Sequence, residues 1–377
     1  MLEVQKTHEG HGKQAIYDSL LQRLLSGELA GGGPLTERAV AREFSVCRPT
    51  ARQALRELVR SGHLQVSPRR GYWPSSPLVG TVAPRVACVC VGTGQQRDLG
   101  RHYTDILLAV NQRVLGQGGT VVTISDTDCH PGRLARRVRA EKVDGVILDC
   151  DSSDADAIAD ALGMPCILIN TPTVSAQMDV VVQDNMTGGY LAASHFLDIG
   201  HRRVGWVGWQ PGSAHARERL GSFLSSFAER GLPFDPHLMA LVERGSGPAE
   251  TEKAVKRLLA ERPTAIAALW TDLGAWTARY IKQLGLGVPE DISLVTWGRR
   301  ETFQLQWWEC CEGQVPLPDA IEWGLEAMVD ASLSRLVERK RNPLAAPAKI
   351  LLPVSLETRG SCQPVNAEPR AANGGAT

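Results

Sequence analysis

The first part of the chain carries hydrophobic residues at the spacing of three amphipathic helices. The first predicted helix spans residues 13–29 and contains a Ser-Gly pair near its end, which is a common helix stop. Thr36 is placed to cap a second helix that runs to Phe44. The third begins near Pro49, since proline is favoured in the first helical turn. Its apolar side is formed by Ala51, Leu55, Leu58 and Val59.

A short hairpin is predicted directly after the third helix. Residues 63–66 have the pattern of a strand, residues 68–71 that of a tight tip, and residues 72–73 that of the returning strand. Three helices followed by a hairpin form a winged helix-turn-helix. Prolines and polar residues from 74 to 84 then predict a linker that contributes no core.

Beyond the linker, short β-branched runs alternate with helical patterns. Seven strands are predicted, at 86–91, 120–124, 143–148, 166–169, 204–207, 265–269 and 292–296. These runs are continuously apolar, which is typical of parallel strands that helices cover on both faces. The pattern therefore predicts an α/β, doubly wound fold with a parallel sheet in each of two lobes.

These patterns divide the 377 residues into four parts. We expect a winged helix-turn-helix at 1–76, a linker at 77–84, a two-lobed domain at 85–360 and a disordered tail at 361–377, because the tail is rich in Ala, Asn, Gly and Pro. The first lobe is predicted at about 85–169 and 299–335, and the second at about 170–298 and 336–360.

Charge is distributed unevenly although the chain as a whole is formally neutral. Residues 1–77 hold 11 Lys and Arg against 7 Asp and Glu, so the remaining 300 residues are net acidic. A basic segment at one end of a neutral chain favours nucleic acid as a partner of that segment.

The cysteines and the apolar runs exclude several classes of protein. None of the nine cysteines lies in a C-x-x-C pair, so the sequence predicts neither a zinc site nor another metal site, and no disulfide framework. No apolar run approaches the ~20 residues that cross a bilayer. We therefore expect no membrane insertion and a cytoplasmic location.

Three arginines of the third helix recur at four-residue spacing. Arg48, Arg52 and Arg56 lie opposite the apolar side, as required of a helix that packs on a scaffold and presents donors to a DNA groove. The alternative is a solvated helix face on which these arginines pair with Glu43 and Glu57.

Residues 35–41 and 46–55 together resemble the helix-turn-helix motif of the GntR family, and the match extends from Tyr17 to Tyr72. The resemblance implies operator contacts for Arg38, Arg48, Thr50, Arg52, Arg70 and Gly71. Arg69, beside Arg70 at the hairpin tip, suits a minor groove or flanking phosphates. Cys47 stands where this family usually has Ser, and a thiol is a poor helix cap.

Candidate ligand-binding residues follow the predicted strands, because ligands of parallel sheets bind at the carboxyl ends of strands. We expect these contacts from Tyr103, Arg219, Trp270, Asp272 and Trp297. Tryptophan rings stack on sugar rings, and charged side chains bond to hydroxyls. The alternatives are core positions for the tryptophans and a surface helix charge for Arg219.

Residues 183–193 and 200–205 are similar to the D-N-x-x-G-G-Y and G-H-R-R-I-G motifs of LacI/GalR sensor domains, and residues 262–272 and 288–293 repeat a second motif of that family. The match runs from 85 to 359. It implies a two-lobed domain like the periplasmic sugar-binding proteins (type I), and it puts Arg219 at the sugar-binding arginine. Gly298 and Arg299 fall where the family has an Asp that binds sugar hydroxyls, which favours an anionic or differently substituted ligand.

A GntR-type winged helix on a LacI-type sensor resembles the architecture of arabinose repressors. The resemblance implies a homodimeric repressor of double-stranded operator DNA that responds to a sugar or sugar derivative and needs no cofactor. A degenerate pocket used mainly for dimerisation is the alternative. A nicotinamide-dependent enzyme is disfavoured, because Arg97 replaces the third glycine of G-x-G-x-x-G after Gly92 and Gly94. No catalytic residue is predicted, so we expect no enzyme.

Overall fold

The computed structural model describes residues 13–25, 29, 34–60, 64–67, 71–74, 84–91, 100–126, 130–150, 152–173, 175, 177–210 and 214–365. The chain forms two compact units. The first contains residues 1–182 and 325–352, and the second contains residues 183–324 and 353–377.

The amino-terminal segment of the first unit is a winged helix-turn-helix, as predicted. Its elements are α1 (Lys13–Leu25), α2 (Glu37–Glu43), α3 (Arg48–Arg60), β1 (Leu64–Ser67) and β2 (Gly71–Pro74). The Thr36 hydroxyl accepts a hydrogen bond from the Ala39 N–H at 3.1 Å, which caps α2. β1 and β2 are antiparallel. The core between the helices and the hairpin contains Ile16, Leu20, Val40, Ala51, Leu55, Leu58 and Leu64.

Gly71 allows the hairpin to pack against the chain that leads into α2. The backbones of Leu35 and Tyr72 exchange two hydrogen bonds, of 2.7 and 2.8 Å. Gly71 adopts φ +97°, and a Cβ there would lie 2.8 Å from the Leu35 carbonyl oxygen. Only glycine satisfies both conditions without strain. The predicted tip residues 68–70 and most of the predicted linker lie outside the described residues.

The first sheet belongs to the first unit. Its strands are β3 (Arg85–Val91), β4 (Thr120–Asp126), β5 (Gly145–Asp149), β6 (Cys166–Ile169), β7 (Asp179–Gln183) and β13 (Lys349–Leu352), in the order β13-β7-β6-β5-β3-β4. The pairs from β4 to β7 are parallel. The helices are α4 (Gly100–Leu115), α5 (Pro131–Ala140), α6 (Ser152–Leu162) and α12 (Leu325–Arg341).

The second sheet has the same plan. Its strands are β8 (Val204–Trp209), β9 (Met239–Val242), β10 (Ala265–Ala268), β11 (Ser293–Arg299), β12 (Asp319–Trp323) and β14 (Ser355–Glu357), in the order β14-β12-β11-β10-β8-β9. All pairs are parallel except β12 with β14. The helices are α7 (Asn185–Asp198), α8 (Ala214–Glu229), α9 (Pro248–Ala260), α10 (Thr271–Gln283) and α11 (Phe303–Cys311). Two mostly parallel sheets with helices confirm the predicted fold class.

The predicted limits of the two lobes are wrong at each point where the chain passes from one lobe to the other. β7 pairs with β6 in the first sheet, although the prediction put residues 170–298 in the second lobe. β12 pairs with β11 in the second sheet, although the prediction put residues 299–335 in the first lobe. β13 belongs to the first sheet, although the prediction put residues 336–360 in the second lobe. Sheet membership depends on pairing between distant strands, and local hydrophobic periodicity carries no information about it.

The predicted disordered tail begins too early. Ser361 is buried, and its hydroxyl accepts a hydrogen bond from the Asp319 N–H at 2.7 Å. The N–H of Gln363 donates to the Ser293 hydroxyl at 3.1 Å. Residues 361–365 therefore form an ordered segment on the second unit, whereas residues 366–377 lie outside the described part of the chain.

Within the described segments, no helix combines the length and the apolar character needed to cross a membrane.

A partly buried ion pair joins α4 to α12 in the first unit. Arg113 donates to Asp330 at 2.8 Å and lies 3.5 Å from Glu326. Burial of the Asp330 carboxyl and the negative charge of Glu326 outweigh the effect of Arg113, and together they raise the pKa of Asp330 to about 6. Because this pKa is above the ordinary value of 3.8, folding favours the protonated carboxyl.

The protonated Asp330 carboxyl therefore stabilises the folded protein fully at acidic pH, and this stabilisation is lost as the pH rises through 6. Relative to Asp330→Asn, the free energy of unfolding of the unaltered protein should fall by about 2 to 3 kcal/mol between pH 4 and pH 7. Urea unfolding at each pH measures this difference, and Asp156→Asn, at an exposed position of α6, is the control. A difference that stays constant with pH would contradict the prediction.

Candidate nucleic-acid interface and small-molecule site

The exposed side of α3 presents the predicted arginines. Arg48, Arg52 and Arg56 are exposed, and the opposite side of the helix is buried through Ala51, Ala54, Leu55 and Leu58. The four-residue spacing therefore separates a packed face from a basic face, as the sequence predicted.

Arg52 is held by a bidentate ion pair that the sequence did not reveal. Its Nε and Nη2 atoms donate to the two carboxylate oxygens of Glu37, at 2.7 and 2.9 Å. The Tyr72 hydroxyl donates to the same carboxylate at 3.2 Å. The hydrogen bonds from Arg52 lower the pKa of Glu37 and raise that of Arg52. This fork geometry is specific, so the pair fixes α3 against α2 and β2.

The alternative, in which the arginines of the basic face pair with Glu43 and Glu57, is wrong because these glutamates have other partners. Glu43 forms an ion pair with Arg23, and Glu57 forms one with Lys13. Among the described residues, no ion pair or hydrogen bond holds the side chain of Arg48 or Arg38. Both side chains are exposed.

Cys47 takes the place of a helix cap at the start of α3. Its sulfur lies 3.0 Å from the Thr50 hydroxyl oxygen. Hydrogen bonds from the hydroxyl and the backbone N–H of Thr50 lower the pKa of the Cys47 thiol. The thiol therefore makes the capping contact that the sequence left in doubt. Arg69 and Arg70 lie outside the described residues.

In the second unit, Arg219 of α8 is completely buried. Its Nε donates to Asn185 Oδ1 at 2.8 Å, and Asn185 Nδ2 donates to Glu218 Oε2 at 2.8 Å. The guanidinium carbon lies 4.0 Å from the centre of the Trp270 ring and 5.2 Å from that of Trp297. The alternative of a surface helix charge at Arg219 is therefore excluded.

Two glycines of α7 allow close packing around this arginine: Gly189 faces α8, and Gly188 faces Trp297 of β11. A Cβ on Gly189 would lie 2.2 Å from the Arg219 carbonyl oxygen and 2.1 Å from the Ser222 hydroxyl oxygen. A Cβ on Gly188 would lie 3.2 Å from the Trp297 indole nitrogen. The G-G pair of the motif at 183–193 therefore has a packing role.

The terminal nitrogens of Arg219 are buried without a hydrogen-bond partner among the described residues. Burial lowers the pKa of Arg219 to about 9. A buried cation with unsatisfied donors is costly unless a compensating group binds it. Such a group must supply acceptor oxygens, as a carboxylate, a phosphate or a set of hydroxyls does.

Trp270 covers the guanidinium from a strained position. It precedes α10 with φ +70° and ψ 154°, a region that only glycine adopts readily. Its ring centre lies 5.3 Å from that of Trp209 and 5.5 Å from that of His215. Strain of this kind persists where the surroundings fix the residue, and it is common at ligand sites.

Asp272 and Thr271 begin α10 beside this aromatic group. The Leu273 N–H donates to Asp272 Oδ1 at 2.8 Å, and burial raises the pKa of Asp272. The Thr271 hydroxyl donates to the Trp297 carbonyl oxygen at 2.9 Å. The second unit thus brings Arg219, Trp270 and Asp272 to the carboxyl ends of β10 and β11, as predicted.

Two predicted contact residues lie inside packed regions. The Trp297 ring is fully buried, with its centre 6.2 Å from that of Trp206, so it supports Arg219 from the core. In the first unit, Tyr103 is buried and its hydroxyl donates to the Cys88 carbonyl oxygen at 3.4 Å.

Gly298 and Arg299 occupy the end of β11. A Cβ at Gly298 would lie 2.1 Å from a ring carbon of Phe303, so the packing of Phe303 accounts for a glycine where the family has a larger residue. Arg299 is buried. Sequence reasoning missed Asn185 as the partner of Arg219, although Asn185 is part of the D-N pair in the quoted motif.

Two family models match separate parts of the chain. Residues 13–73 match bacterial regulatory proteins of the gntR family, and residues 193–362 match a periplasmic binding protein-like domain. The HTH-type transcriptional regulator DegA of Bacillus subtilis (strain 168) is 26% identical over 272 residues, which is 70% of this chain and 78% of that protein. The arabinose metabolism transcriptional repressor of Geobacillus stearothermophilus is 25% identical over 296 residues, which is 74% of this chain and 80% of that protein.

Solved structures support the same fold. The transcriptional regulator CelR in complex with cellobiose has a TM-score of 0.62 at 22% identity, over 90% of this chain and 98% of that chain. The lac repressor dimer bound to operator and an anti-inducer has a TM-score of 0.62 at 19% identity, over 76% of this chain and 96% of that chain. The curated relatives are regulators, which confirms that the chain is not an enzyme. The chain is therefore a transcriptional regulator in which a segment similar to the gntR-family model precedes one similar to the periplasmic binding protein-like model.

Proposed function

We propose that this protein is a transcriptional repressor that binds its operator through α3 and responds to a small acceptor-rich effector held by Arg219. The exposed basic face of α3, on a helix whose other side is packed, is the observation that supports the DNA-binding half. The buried donors of Arg219 support the effector half.

The arginines of α3 have different roles in this proposal. Arg52 is engaged by Glu37, so it positions the helix. Arg48, at the amino-terminal end of α3, reads base edges or phosphates, because recognition helices contact bases through their first turns. Arg38 of α2 and Arg56 contact the backbone phosphates. Thr50 and Gly71 set the geometry of the helix start and the hairpin. Arg69 and Arg70, which lie outside the described residues, contact flanking DNA in this proposal.

The effector is a sugar acid, a sugar phosphate or a related polyhydroxylated anion. Arg219 offers two donors in a fixed fork, which matches a carboxylate or phosphate. Trp270 offers an indole for a sugar ring, and Asp272 is an acceptor for hydroxyls. Arg299, where the family has an acidic residue, adds positive charge and favours an anion over a neutral sugar.

A homodimer in the cytoplasm completes the proposal. Two-fold symmetry places two winged helices on equivalent half-sites of a pseudo-palindromic operator. The lac repressor structure, which is a dimer on its operator, supports this arrangement. Trp297 contributes to the effector site by supporting Arg219 from the core of the second unit rather than by exposed contact.

Replacing Arg48 tests the DNA-binding half. Arg48→Ala should weaken binding to a duplex from the protein's own promoter by about 5- to 150-fold at fixed salt. Arg60→Ala is the matched control, because Arg60 is exposed at the opposite end of the same helix, and it should change affinity by about twofold at most. Fluorescence anisotropy measures both. Equal losses in the two variants would contradict a specific role for Arg48.

Replacing Arg219 tests the effector half. Arg219→Met should raise the free energy of unfolding by about 1 to 4 kcal/mol, because it removes an uncompensated buried cation. It should also abolish stabilisation by a panel of aldoses, sugar acids and sugar phosphates in thermal-shift assays. Arg279→Met is the control, since Arg279 is mostly buried but is paired with Glu252 and Glu312.

The control variant should be destabilised and should keep its response to the panel. A destabilised Arg219→Met would show that the guanidinium is a structural element. A panel that stabilises neither protein would favour a degenerate pocket that serves dimerisation.

A further inference from the structure

A cluster of three potential metal ligands lies in the second unit, apart from the residues around Arg219. His195, Asp319 and Cys362 each offer one ligand atom, and these atoms all lie within 4.8 Å of one another. They come from α7, from the first residue of β12 and from the ordered segment after β14. The wide separation along the chain explains why motif spacing gave no sign of them.

The carboxylate of Asp319 is oriented by the backbone. Its Oδ1 accepts hydrogen bonds from the N–H groups of Arg359, Gly360 and Ser361, at 2.6, 2.9 and 3.1 Å. This arrangement leaves Oδ2 facing His195, whose Nε2 lies 3.3 Å away. Ligating carboxylates in metal sites are commonly fixed by such outer hydrogen bonds.

The histidine nitrogen has no satisfying hydrogen bond. The Nε2 of His195 is buried and makes no hydrogen bond of acceptable geometry with any described residue, despite its distance from Asp319. Buried polar atoms in native proteins are normally satisfied. A cation between the nitrogen and the carboxylate oxygen would satisfy both.

We propose that His195, Asp319 and Cys362 bind a divalent transition-metal cation, with Zn²⁺ as the best match. Imidazole, carboxylate and thiolate are the three ligand types that Zn²⁺ takes in proteins. Bonds of about 2.0 Å in a tetrahedral site put nitrogen and oxygen ligands roughly 3.3 Å apart, which is the separation of the His195 and Asp319 atoms. The Cys362 thiol donates to the Leu294 carbonyl oxygen at 3.4 Å, and binding of the cation replaces this hydrogen bond and releases the thiol proton.

In this proposal a water molecule is the fourth ligand. The ion enters past the His195 ring, which is 21% exposed although its Nε2 atom is buried. The cation links α7 to the segment that follows β14. Because α7 also carries Asn185, the partner of Arg219, zinc fastens the helix that orients the buried guanidinium.

Cobalt substitution in the full-length protein tests the site. The purified protein is stripped with a chelator and dialysed, and then CoCl₂ or ZnCl₂ is added. One tetrahedral Co²⁺ per chain, with a thiolate-to-cobalt charge-transfer band and strong visible bands, is expected. Zinc should displace the cobalt and raise the melting temperature of the stripped protein.

Three variants assign the signal to its ligands. Cys362→Ser should remove the charge-transfer band, and His195→Gln should weaken zinc affinity by at least about tenfold. Cys310→Ser, at a partly buried cysteine of α11, should leave both unchanged. Absence of a tetrahedral cobalt spectrum in the unaltered protein, or its persistence in Cys362→Ser, would overturn the proposal.

Discussion

A guanidinium buried among indole rings is the constraint on which the effector-binding half of this protein depends. The fold holds Arg219 with one hydrogen bond to Asn185 and with the face of Trp270, and it leaves two buried donors for a ligand. Desolvation of this cation is unfavourable in the absence of a ligand. The glycine pair of α7, the strained backbone of Trp270 and the core position of Trp297 all serve to maintain that arrangement. In the proposed function, a binding partner with acceptor oxygens recovers the lost interactions, and an anion recovers them best.

The DNA-binding half depends on a different electrostatic arrangement. The pair between Glu37 and Arg52 joins α2 to α3 and is reinforced by Tyr72 of the hairpin. One arginine of the basic face thus stabilises the scaffold, while Arg48 is exposed and is the proposed contact with DNA. The surroundings of the two arginines therefore differ: Arg52 forms a direct ion pair with Glu37, whereas Arg219 hydrogen-bonds to Asn185, which in turn donates to Glu218.

The sequence predicted the winged helix and the parallel sheets, and it put Arg219, Trp270 and Asp272 at strand ends, while their contacts with a ligand stay a prediction. Helical periodicity and continuous apolar strands are local signals, so these elements were accessible. The sheet membership of β7, β12 and β13 was not, because it arises from pairing between distant segments. The burial of Trp297, the glycine at Gly298 and the cluster of His195, Asp319 and Cys362 likewise result from tertiary packing. The order of residues 361–365 follows from the carboxylate of Asp319, whose partners no composition rule could identify.

In a ligand-responsive repressor, effector binding must change operator affinity, and a titration measures that change. The affinity of the protein for a promoter duplex is measured at fixed salt with and without the saturating effector found in the panel. Operator affinity should change by about 5- to 150-fold, and effector affinity should change by the same factor when the duplex is present. Identical operator affinity in the two conditions would contradict it.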